Sequence, residues 1–137
     1  MNYEGLVEII EREEEALQKV LNLLDEQYKF IMKKEVFELE ALVDRMKDVN
    51  VELASKEMDR RKYIGNSNMK DIVNNSNYPR LDQAFRRVNK LLHSVKLQKD
   101  TNDLLLKQQI SYNNQLLNVI NPRREVKTYN SYGNLSK

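Results

Sequence analysis

Apolar side chains recur along this chain at helical spacing, in three blocks. In residues 2–32, Tyr3, Ile10, Leu17, Leu24 and Ile31 repeat every seven positions, Leu6 and Val20 supply intervening positions, and Ile9, Leu21 and Tyr28 widen the stripe. Steps of three and four bring such residues to one face of a helix. Glu8, Glu11, Glu13, Glu14 and Glu15 fall largely outside that stripe, and the acidic residues nearest the N-terminus suit the positive end of the helix dipole. The next heptad position is Glu38, so the register breaks around residues 32–35. A new stripe follows, Val36, Leu39, Val43, Met46 and Leu53, with Phe37, Leu42 and Val49 beside it. It predicts a tight turn and a second helix over about 36–63. Because neither Gly nor Pro marks the break, one helix through 2–63 is the alternative.

Residues 65–79 carry Asn, Ser, Gly and Pro clusters on either side of Met69, Ile72 and Val73. Such clusters mark loops, so this stretch reads as a connector with a short helical turn packed on the bundle. A third helix spans 80–120, opened by Pro79 and stopped by Asn121 and Pro122. Its stripe is Leu81, Phe85, Val88, Leu92, Val95, Gln98, Asn102, Leu105, Gln109, Tyr112, Leu116 and Val119. The fold class predicted is all-α: an antiparallel three-helix bundle or coiled coil with a long third helix over residues 1–120, followed by a flexible, disordered basic tail over 121–137.

Two features of the third helix bear on function. Asn102 and Gln109 replace aliphatic residues on the apolar face, and a buried amide is costly unless hydrogen-bonded. Such a layer either fixes register inside the bundle or adapts to a partner helix. The third helix also exceeds the others by about ten residues, so part of its stripe lacks cover from its own chain. That surface, Asn102, Leu105, Gln109, Tyr112, Leu116 and Val119, is the candidate partner-binding site.

Composition narrows the classes. With 3 Gly, 2 Pro and no Gly or Pro between residues 6 and 64, a turn-rich β fold is excluded. The absence of Cys removes disulfides, a thiol nucleophile and Cys-ligated metal. No apolar run reaches the ~18 residues of a membrane span and no hydrophobic leader follows Met1, so a cytoplasmic location without membrane insertion is expected. Charge is uneven: residues 1–40 hold 11 acidic and 5 basic side chains, whereas 79–120 hold 3 and 7. An acidic helix packed beside a basic one accounts for this. His93 is the only histidine and has no Glu three residues before it, phosphate-loop glycines are missing, and Glu13, Glu14 and Glu15 point in different directions around a helix. The expectation is therefore no enzyme, no metal and no cofactor.

Three stretches carry a resemblance. Residues 33–42, KKEVFELEAL, resemble the short turn and second-helix start of the FlgN-type flagellar export chaperones. Residues 97–106, LQKDTNDLLL, resemble that family's L-Q-x-x-N-x-x-N-x-x-L-L region, departing at Asp103 and Leu104 where the family often repeats Asn. Residues 128–133, TYNSYG, resemble its C-terminal T-Y-x-x-x-G. The resemblance covers nearly the whole chain. It implies a cytoplasmic chaperone of the flagellar type III export system. Such a chaperone binds the C-terminal helical segments of the hook–filament junction (hook-associated) proteins, prevents early assembly and delivers them to the export gate. It places substrate binding in the C-terminal half, and docking on the cytoplasmic domain of the export gate at Tyr129, with Gly133 completing the motif. Two other classes compete. One is a coiled-coil adaptor that self-associates through the same stripe. The other is a weak nucleic-acid binder using Arg80, Arg86, Arg87, Lys90, Lys96 and Lys99; its binding would fall steeply with salt, and aromatics for base stacking are nearly absent there.

Overall fold

The computed structural model describes residues 1–120; beyond them it gives only the antiparallel backbone pairing of two short strands, β1 (Thr128–Tyr129) and β2 (Leu135–Ser136). The expected disordered tail otherwise lies outside the described residues. Four helices precede it: α1 (Tyr3–Lys33), α2 (Val36–Ile64), α3 (Met69–Ser76) and α4 (Pro79–Ile120). The chain forms two compact units, Met1–Asn102 and Asp103–Lys137, and α4 runs through both.

Local chemistry sets each helix end in the first unit. The Asn2 carboxamide accepts from the Gly5 N–H at 3.1 Å and caps α1. At the other end Lys34 adopts the left-handed conformation, φ 57° and ψ 37°. Its N–H bonds to the Ile31 carbonyl, and the Glu35 N–H bonds to the Phe30 carbonyl. Together these form a Schellman closure built on a lysine rather than a glycine. This is why the break between α1 and α2 carries no Gly or Pro, and it excludes one continuous helix. α2 stops at Gly65, whose φ of 61° and ψ of −131° lie where only glycine sits without strain. Asn68 caps the connector's short helix α3 through the N–H groups of Lys70 and Asp71. Asn77, at φ 52°, ends α3, and Pro79 opens α4.

Pairing across the helices fixes direction. Tyr63 meets Asn2, Arg60 meets Glu13, Lys19 meets Glu52 and Arg45 meets Glu26, so α1 and α2 are antiparallel. Arg80 meets Glu4, Arg87 meets Glu14, and Asn102 meets Leu24 and Gln27, so α4 runs parallel to α1. The result is an up-down-up arrangement. A core of Leu6, Ile10, Leu17, Val20, Leu24, Leu81, Ala84, Val88 and Val95 joins α1 to α4, and Val73 of α3 closes it.

Two expectations need correction. Glu13 falls outside the apolar stripe of α1, yet it is buried. α1 meets α2 on one side and α4 on another, so it buries a wider sector than one stripe, and Val7, Ala16 and Leu23 are buried with it. The Glu13 carboxylate is compensated by Arg60, 2.8 Å away, beside a cavity of about 100 Å³ that Phe85 and Val88 also line. In α2, Val36 and Val43 are exposed and only Leu42 is buried. Leu39, Met46 and Leu53 of the expected stripe are turned inward, and Leu42, Val49, Arg60 and Tyr63 widen the covered face on the side of Leu42, away from Val36 and Val43.

Candidate protein-binding surface

The site expected on α4 divides at Asn102. That residue is fully buried. Its Nδ2 donates to the Leu24 carbonyl at 2.8 Å and to Gln27 Oε1 at 2.9 Å, while its Oδ1 accepts from Gln98 Nε2 at 2.9 Å. Three of the four hydrogen bonds open to a carboxamide are thus made inside the first unit. Asn102 therefore acts as a register-setting polar layer, and its burial removes it from the surface a partner can reach. A slip of one turn between α1 and α4 would take the Asn102 Nδ2 away from both of its acceptors on α1, leaving only the bond from Gln98, which moves with it.

Beyond it the character of α4 changes. Leu105 and Gln109 are half-buried, while Tyr112, Leu116 and Val119 stand 58%, 44% and 79% exposed on the same stripe. Every residue from 110 to 120 is exposed. A neighbouring stripe that the sequence reading passed over, Leu106, Ile110, Leu117 and Ile120, lies one residue further round the helix, and three of its four members are exposed. Its own 3-4 spacing was the signal available. Tyr129 falls in β1, where its backbone pairs with Leu135; the Tyr129 side chain and Gly133 lie outside the described residues.

Three arginines of α4 are paired with carboxylates of α1 or of α4 itself. Arg80 pairs with Glu4 and Glu11, Arg86 with Asp82, and Arg87 with Glu14. At the foot of the first unit, the Tyr78 hydroxyl donates to Glu4 at 2.5 Å while Arg80 holds the other carboxylate oxygen. The Tyr78 hydrogen bond, followed by the charge of Arg80, keeps the Glu4 carboxyl below the usual carboxylate range against some desolvation. The same bond raises Tyr78, with burial and the Glu4 charge adding to it. His93 is exposed. Among the described residues no three His, Asp or Glu side chains converge to hold a metal, and no helix is long and apolar enough to cross a membrane.

The described part of the chain is thus a helical bundle whose longest helix ends in exposed leucines, isoleucines and amides. The whole chain, residues 1–137, matches the family described as FlgN protein, and the chain belongs to that family of flagellar chaperones. No curated protein and no solved structure matches it.

Proposed function

We propose that this chaperone acts in the cytoplasm, without catalysis. In this reading it binds the C-terminal helical segments of hook–filament junction proteins on the exposed end of α4, blocks their early assembly and delivers them to the export gate. The observation that carries this is the exposure of Tyr112, Leu116 and Val119 on one stripe of a chain from a flagellar chaperone family. A helical substrate would lay its own i, i+3, i+7 residues along that stripe. Family resemblance in residues 128–133 supports a separate docking element on the gate's cytoplasmic domain, centred on Tyr129 and completed by Gly133.

Titration of the full chain with a junction protein's C-terminal segment tests the reading. Leu116→Asp should weaken binding at least tenfold and leave the melting temperature nearly unchanged. A drop in melting temperature of about 10 °C or more would make Leu116 a core residue instead. Tyr129→Ala should weaken contact with the gate while substrate binding persists.

A further inference from the structure

The end of α4 differs from the rest of the chain in charge. Residues 108–122 form the longest run without an acidic or basic side chain, and between 104 and 120 only Lys107 is charged. Six of the residues from 108 to 120 are Asn or Gln. At about 100° per residue, the apolar positions run from Val119 at one edge, through Leu116 and Leu106, to Ile110 at the other, an arc of roughly 180° with Gln109 and Asn113 inside it. Val119 and Ile110, the two edges, are both well exposed.

A helix that turns one face to a neighbour typically carries an apolar stripe on the order of 100° wide, so an arc of roughly 180° has room for two neighbours. A second copy of this chain, paired two-fold through α4, would cover one stripe and leave the other in water. A Lys or Glu lowered onto 108–120 would lose its hydration with no counter-charge to meet it, whereas the exposed carboxamide of Asn113 offers both donors and an acceptor to amides and hydroxyls.

We infer that the occupant of this arc is a pair of amphipathic helical segments from one partner protein, uncharged along the faces that meet α4. This rests on the chaperone reading above. It adds the chemistry by which the substrate is chosen: amide pairing and shape, with charged helices rejected by desolvation. Association then proceeds without electrostatic steering and is nearly indifferent to salt.

The test titrates the full chain with the C-terminal helical region of a junction protein and, in parallel, with those of other flagellar axial proteins. Parent affinity should change by less than about threefold between 50 and 500 mM NaCl. Ile110→Asp and Val119→Asp should each weaken binding by about tenfold or more, with circular dichroism and melting temperature unchanged. If one edge variant binds like the parent, a single helix suffices and the inference falls. It falls equally if affinity drops more than tenfold with salt, or if the parent sediments as a dimer that these substitutions dissociate. A junction segment that binds with steep salt dependence overturns this inference alone. A different axial segment that binds with flat salt dependence and needs both edges overturns the junction-protein reading alone. If no segment binds, both fall.

Discussion

The side-chain amide of Asn102 donates to the backbone carbonyl of Leu24 at 2.8 Å, joining positions 78 residues apart in the chain. Asn102→Ala removes this bond and leaves Gln27 and Gln98 each without a partner they now have. The expected cost is about 1–3 kcal/mol of stability, read as a lower urea midpoint with an unchanged slope. An unchanged midpoint would mean that the polar layer does not set the register.

Removing either member of the buried pair should expose an asymmetry. Arg60→Met leaves Glu13, the more buried partner, without compensation and should cost about 3 kcal/mol or more. Adding Glu13→Leu to that variant should recover much of the loss, because an apolar pair no longer carries a desolvated charge. Denaturant unfolding of both singles and the double checks this. A double variant no more stable than Arg60→Met would show that the pair's packing, not its charge, matters.

Lys34 holds a left-handed backbone that costs an L-residue roughly 1–2 kcal/mol. Lys34→Gly should therefore stabilise the chain by a few tenths to about 1 kcal/mol. Gly65→Ala should do the opposite, since its φ of 61° is positive too and its ψ of −131° lies outside the left-handed helical well. Thermal melts of the two variants should move in opposite directions.

The Glu4–Tyr78 bond gives stability two pH limits. Glu4 is shifted down, so its contribution is present above the unfolded carboxylate pKa of about 4.3. It is lost as the pH falls through the lower folded value. Tyr78 is shifted up, so its contribution is present below about pH 10 and is lost as the pH rises through the higher folded value. Tyr78→Phe should flatten both limbs while leaving the neutral-pH fold intact. A parent and variant with parallel stability–pH curves would assign the limbs to other groups.

Much of this architecture was legible in the sequence because apolar periodicity records burial directly. Ile10, Leu17, Leu24 and Ile31 are all buried, as their heptad spacing implied. α2 was less legible. Only Leu42 is buried there, and a helix covered on one narrow side leaves Val36 and Phe37 in water beside a weak stripe. Glu13 could not be read as interior from its own residue type. Its burial depends on Arg60, 47 positions away, and on α1 having two neighbours. On α4, the sequence located the stripe but left the role of Asn102 open between an inner layer and a binding face. What separates Asn102 from Tyr112 is the set of acceptors and donors around each, which spacing alone does not encode.

The uncharged end of α4 also has a thermodynamic consequence. No carboxylate, amine, guanidinium or imidazole stands between residues 108 and 120. When a partner covers that stretch, this side of the interface has no group there that must take up or release a proton near neutral pH. The heat of binding contributed by this stretch should then be the same in buffers with very different ionisation enthalpies. Any difference between buffers reports protons exchanged elsewhere, on the partner or on the rest of the chain.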